Sequence, residues 1–86
     1  MATLIKSNGV QQEVSPKNGT DFSLEELQGF VGGYIEIIYL DDTKIMVVNE
    51  EGKLNGLPYN ERATAMVYFL DAIVGDVLVC ESKEVK

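Results

Sequence analysis

Tyr34-Ile35-Glu36-Ile37-Ile38-Tyr39-Leu40-Asp41-Asp42-Thr43-Lys44-Ile45-Met46-Val47-Val48-Asn49 carries the strongest structural signal in this chain, and the rest of the architecture is placed around it. Its first half, Tyr34 to Leu40, is dense in β-branched and aromatic residues at both alternating sets of positions, with Glu36 the only charge inside it. That is strand composition, apolar on both faces. Asp41-Asp42-Thr43 makes a tight turn, and Lys44 to Asn49 returns as a second strand. The two are read as the central hairpin of an antiparallel sheet.

Toward the N-terminus, Gly32-Gly33 stops a helix, because glycine accepts the left-handed conformation that follows a helix end. The helix start is fully signalled: Ser23 as N-cap, Glu26 three residues on to close a capping box, and Phe22 placed to staple against Leu27. Leu24, Leu27, Phe30 and Val31 fall on one face and predict packing against a sheet. Before it, Thr3 to Ser7 and Val10 to Val14 read as strands joined at Asn8-Gly9, the preferred pair for a two-residue type I′ turn. Pro16-Lys17-Asn18-Gly19 breaks that run.

Toward the C-terminus, Asn49 to Asn60 is a polar, glycine-punctuated connection. Asn60 is placed to cap a short helix in which Ala63, Met66, Val67 and Leu70 recur at helical spacing. Ile73 to Cys80 returns as a strand too apolar to lie at an exposed edge, so it is expected to join the central hairpin. Residues 81–86 read as a frayed charged tail. The order β-β-α-β-β-loop-α-β predicts one α+β domain over residues 1–86, a mostly antiparallel sheet of about five strands with two short helices packed on one face.

Eighty-six residues give one thin core, since a chain this short buries only about 60 to 65% of its unfolded surface. At 45% hydrophobic and 24% charged, the composition is that of a globular domain rather than a disordered one. Cys80 is the single cysteine and histidine is absent, so an intramolecular disulfide and the common zinc sites are excluded; no metal and no cofactor are expected. No signal peptide or membrane-spanning run is recognisable, and a cytoplasmic location with no membrane contact is expected. The net charge of -7 opposes direct binding to nucleic acid or anionic lipid and favours a basic protein surface, or a ligand gripped locally.

Leu27-Gln28, Val31-Gly32-Gly33-Tyr34-Ile35-Glu36, Asn49-Glu50-Glu51-Gly52-Lys53-Leu54, Gly56-Leu57-Pro58, Asn60, and Asp71-Ala72-Ile73-Val74-Gly75-Asp76 together resemble a small family known as domain of unknown function 3846. The resemblance covers most of the chain after Phe22 and leaves out the Asn8-Gly9 hairpin. It implies a setting in bacteria, phages, plasmids and other mobile elements, and it brings no established activity with it.

Two readings stand for the polar loop. In one it is a recognition surface, with Asn49 and Asn60 offering amides, Lys53 a positive charge, and Glu50, Tyr59 and Arg62 completing the ligand- or partner-binding set. In the other the asparagines end a strand and cap a helix, and Gly52 serves a turn. Glu50 and Glu51 are unsuited to paired acid and base work, because adjacent residues in an extended segment point to opposite faces. Gly32-Gly33 follows a helix C-terminus, the wrong end for a phosphate cradle. Cys80 lacks a histidine base and reads as a small buried residue. Asp41, Asp42, Asp71 and Asp76 lack the spacing of a cation loop and read as turn and cap residues. Of the four tyrosines, Tyr59 beside Pro58 is the one expected at the surface.

The expected function is therefore non-enzymatic: a small acidic protein of phage or mobile-element origin acting by stoichiometric protein-protein association, directed against a host defence component. Sequestration of a small nucleotide-like ligand is the alternative, with the loop from Asn49 to Asn60 forming the pocket at a homo-oligomer interface; separately, self-association is expected because the Tyr34 to Leu40 strand is apolar on both faces. An acidic mimic of DNA is a third reading, for which fourteen acidic residues against seven basic ones is a mild excess. A hydrolase is the least supported.

Overall fold

The computed structural model describes residues 2–85. Its elements are β1 (Ala2–Ile5), β2 (Gln11–Val14), α1 (Leu24–Val31), β3 (Ile35–Tyr39), β4 (Lys44–Asn49), α2 (Glu61–Met66), β5 (Val77–Glu81) and a 3-10 turn at Ser82–Glu84. The strands form one antiparallel sheet in the order β2-β1-β5-β4-β3. The α+β class, the five strands and the two helices are as the sequence predicts, and β5 does join the β3-β4 hairpin. That hairpin is not central as a pair, however. β5 inserts between β4 and β1, which leaves β3 as a sheet edge.

The helices lie on opposite faces, a correction to the one-sided arrangement. Phe22, Leu27 and Val31 pack with Leu4, Ile45, Val47 and Leu78 on one face, and Ala63 packs with Ile5, Met46, Val48, Ile73 and Val77 on the other. Pleating drives this, because β4 is buried on both sides and each face needs its own cover. Each large aliphatic side chain so buried contributes about 1.5 to 3 kcal/mol. With a helix on each face, no whole face of the sheet is left uncovered, though β3 itself has no fully buried residue.

Local signals hold with revisions. The capping box of α1 forms in full, Ser23 Oγ accepting from Glu26 N at 3.1 Å and Glu26 Oε1 from Ser23 N at 3.0 Å. α1 stops at Gly32, whose φ is 82°. Leu24, expected on the buried face, is 57% exposed. The β1-β2 connection is a three-residue loop rather than a type I′ pair: Gly9 N donates to Lys6 O and Lys6 N to Val10 O. Gly9 alone takes positive φ there, the pattern of a type I turn with a glycine bulge.

α2 ends at Met66, so Leu70 lies beyond it, and β5 begins at Val77 rather than Ile73 because Gly75, at φ 77°, breaks the run. The segment after β5 is not frayed. Phe22 N donates to Glu84 O at 2.6 Å, Ser82 N to Thr43 O at 2.7 Å, and Val85 bridges Phe22 in parallel. Long-range backbone bonds hold what local composition leaves loose; Lys86 lies outside the described residues.

Candidate functional site

Asn49 and Asn60, expected at the surface of a recognition loop, are buried. Asn49 Nδ2 donates to Val31 O at 3.1 Å, tying β4 to the end of α1, and its Oδ1 accepts from Glu51 N at 2.8 Å to start the loop. A Cβ on Gly33 would come within 3.0 Å of that amide nitrogen, so the Gly32-Gly33 pair also makes room for the asparagine. Asn60 caps α2 through Oδ1, accepting from Ala63 N at 3.0 Å, and its Nδ2 donates to Ile5 O and Gly75 O. Thr64, which sequence reasoning missed, completes this buried network: its Oγ1 accepts from Ile73 N at 2.9 Å and donates to Ile73 O at 3.3 Å. Gly52 is fixed by close approach, since a Cβ there would meet Val74 Cγ2 at 2.8 Å. These polar residues are scaffold, with backbone groups for partners.

The other predicted residues divide. Glu50 and Lys53 line a cleft of about 150 Å³ together with the buried Asn49 and with Glu36, Ile38, Leu54 and Asp71. Lys53 Nζ is 2.6 Å from Asp71 Oδ1, and that hydrogen bond and charge hold the Asp71 carboxyl below its usual range. Tyr59 and Arg62 stand elsewhere. Tyr59 pairs with Val74 in an isolated bridge, and Arg62 lies against Gln11 of β2, with Nε 2.7 Å from the amide oxygen when the amide is oriented to accept. Tyr59 is exposed as expected, but Tyr34, Tyr39 and Tyr68 are more so.

The feature that sequence reasoning passed over is the turn after α2. Tyr68 and Phe69 both carry φ 58°, a left-handed backbone that costs a side-chain-bearing residue about 1 to 3 kcal/mol. Phe69 N donates to Thr64 O and Tyr68 N to Ala65 O, the bonding of a Schellman helix stop in which glycine usually holds the place of Tyr68. The side chains so positioned face water: Tyr68 is 81% exposed, Phe69 66% and Leu70 86%. The only signal in the sequence is Tyr68-Phe69-Leu70 following a helix without a glycine, and its apolar spacing reads as helix continuation.

This turn and the β3 edge enclose a groove of about 450 Å³ whose lining includes Ile38, Tyr39, Leu40, Met66, Tyr68 and Leu70. It shares Glu36, Ile38, Asp71 and Ile73 with the smaller cleft, so the two are one trough along the α2 face of β3. Among the described residues no group of histidine, cysteine and carboxylate side chains is gathered to hold a metal ion. The Cys80 thiol is pushed up to about 11 by burial and by the neighbouring Glu84 carboxylate, which keeps it protonated and poorly nucleophilic at neutral pH. Asp41 accepts from Thr43 N and Lys44 N in its turn, and Asp76 accepts from Ser7 N, so these carboxylates serve loop ends.

A family model described as a domain of unknown function, DUF3846, matches residues 2–86. The chain belongs to that family. The match takes in the N-terminal hairpin, which the residue resemblance leaves out. No curated protein and no solved structure matches the chain. The family's recognisable residues now have structural reasons: Gly32-Gly33 and Asn49 join helix to sheet, Gly52 and Gly75 admit Val74 and Leu57, and Asn60 caps α2. Among the described residues no helix is long and apolar enough to cross a membrane.

Proposed function

We propose that this chain, of phage or mobile-element origin, works by stoichiometric association with a partner protein, a host defence component, through the trough between β3 and the Tyr68-Leu70 turn. The observation that carries the reading is the turn itself: two aromatic residues held in left-handed backbone and a leucine, all exposed. Strain of that kind persists where the surrounding structure imposes it, and it gathers at binding and switch sites. Large, rigid aromatic side chains are the usual anchors of protein interfaces. The 150 Å³ cleft is below the about 300 Å³ at which small-molecule sites begin. The larger groove presents Glu36, without a cationic partner among the described residues, and Asp71 already paired with Lys53, an arrangement that does not attract a phosphate. Both features favour a protein over a nucleotide-like ligand.

The test is site-specific photocrosslinking in host extract, with a photoreactive residue at position 68 and, as control, at the exposed Leu24. A protein captured at 68 and not at 24 should, once purified, bind one to one and lose at least about tenfold in affinity, about 1.4 kcal/mol, on Leu70→Asp. Identical capture at both positions, or binding untouched by Leu70→Asp, overturns the reading.

A further inference from the structure

We propose that the open edge of β3 accepts an extended segment of the partner, apolar at alternate positions and basic between them, as an additional strand. This rests on the association reading and names the chemistry of the partner. Leu40 N donates to Lys44 O and Glu50 N to Tyr34 O. In an antiparallel ladder the residues alternate, so the even-numbered members of β3 turn their backbone groups to β4, while Ile35, Ile37 and Tyr39 turn theirs outward. Among the described residues none hydrogen-bonds those outward groups.

Edges left in water are normally blunted by lysine, proline, a bulge or a polar run. β2, the opposite edge, has such a run in Gln11, Gln12 and Glu13, with Pro16 just beyond. β3 has no lysine, proline, bulge or polar run, and Glu36 is its single charge; it offers isoleucine on both faces and ends in Tyr39, which is 75% exposed. A strand added there places alternate side chains in the trough against Ile38, Leu40 and the Tyr68-Leu70 turn. Main-chain bonds then supply affinity and the trough supplies selectivity.

Charge selects the occupant. Glu36 sits mid-strand, Glu50 is bonded to the Tyr34 end, Asp42 is exposed beyond Tyr39, and Lys53 on the trough is already engaged by Asp71. A second copy of the chain, itself at -7, brings like charge to the same edge. A basic segment meets complementary charge instead.

The probe is a displayed library of random peptides about ten residues long, which spans one strand generously, panned on the whole chain and on Tyr39→Pro. Proline at 39 removes an outward N–H together with the Tyr39 ring, and breaks no bond within the sheet. Glu36→Lys provides a variant that leaves the backbone alone. Enriched peptides should alternate apolar and basic residues, bind one to one, weaken at least about tenfold with either variant at unchanged Tm, and slow amide exchange at Ile35, Ile37 and Tyr39. Peptides that bind Tyr39→Pro equally, that are acidic, or that protect Tyr68 to Leu70 without the three β3 amides overturn the edge while the association reading stands. So does failure to enrich any peptide on the native chain above Tyr39→Pro. A free-protein dimer in sedimentation, abolished by Tyr39→Pro, assigns the edge to a second copy and overturns the proposal.

Discussion

The loop from Asn49 to Asn60 is polar and glycine-rich, yet two of its three asparagines, Asn49 and Asn60, are buried; the turn from Val67 to Asp71 is aromatic and aliphatic, and its large side chains face water. Composition therefore points the wrong way at both places. The loop has no strands of its own to satisfy its neighbours' backbone groups, so its amides turn inward and bond Val31 O, Ile5 O and Gly75 O. The turn satisfies its own backbone by a Schellman stop, which frees its side chains for display. Two helix ends make the same contrast: α1 stops on Gly32 and displays nothing, whereas α2 stops on Tyr68 and retains the strain.

If the loop is scaffold, its largest effect is on stability. Asn60→Ala should cost about 2 to 4 kcal/mol, the lost helix cap adding to two carbonyls left without their donor. That is a large share of the about 4 to 13 kcal/mol available to a domain of this size. Urea denaturation measures it, and a loss under about 1 kcal/mol would return Asn60 to the candidate binding residues. Asn49→Ala should follow at about 1 to 2.5 kcal/mol by the same assay, having one carbonyl and one N–H to abandon.

Relief of strain comes next and carries the opposite sign. Tyr68→Gly removes the left-handed penalty of about 1 to 2 kcal/mol and adds back about 0.5 to 1 in backbone freedom. A gain of about 0.5 to 1 kcal/mol is expected from that difference, together with weakened partner binding. A stabilised variant that still binds fully would strip the turn of its role. Smaller still, Leu54→Asp and Leu70→Asp should stay within about 0.5 kcal/mol of the native chain in urea.

What the sequence makes legible is what neighbours along the chain decide. The Ser23–Glu26 capping box and the Asp41 turn each involve partners a few residues apart. Their chemistry is enough to place them. Local chemistry assigns Asn60 its cap correctly and its exposure incorrectly, because the cap is local while its other partners lie 55 and 15 residues away. Ser82–Glu84 reads as frayed for the same reason, its backbone being held by Thr43 and Phe22. The edge position of β3 depends on β5 inserting beside β4, a pairing whose position apolar content alone does not specify. Tyr68-Phe69 is hidden because positive φ at aromatic residues defies local preference, and such sites are where function tends to sit.

One contact joins the two regions, and it supports the smallest prediction. Lys53 belongs to the loop and Asp71 to the turn, 2.6 Å apart, with both side chains more than half exposed. The pair lowers the Asp71 carboxyl, so its stabilisation is present above the ordinary carboxylate range of about 4 and is lost as pH falls through the lower, folded value. Water screens a pair this exposed, and Asp71→Asn should leave the Tm at neutral pH within the error of a thermal scan. The acid limb should shift: native stability keeps falling below about pH 4 in part through Asp71, and the variant loses that part. Glu26 and Asp41, also lowered by backbone hydrogen bonds, keep a residual acid limb in both proteins. The sharper readout is amide exchange at Tyr68, Phe69 and Leu70. If the clasp positions the turn, Asp71→Asn at neutral pH should speed exchange there and leave α1 unchanged, and the native chain should show the same acceleration only at acid pH. Equal exchange in both proteins would mean that the turn is held by its own Schellman bonds and that loop and turn are independent.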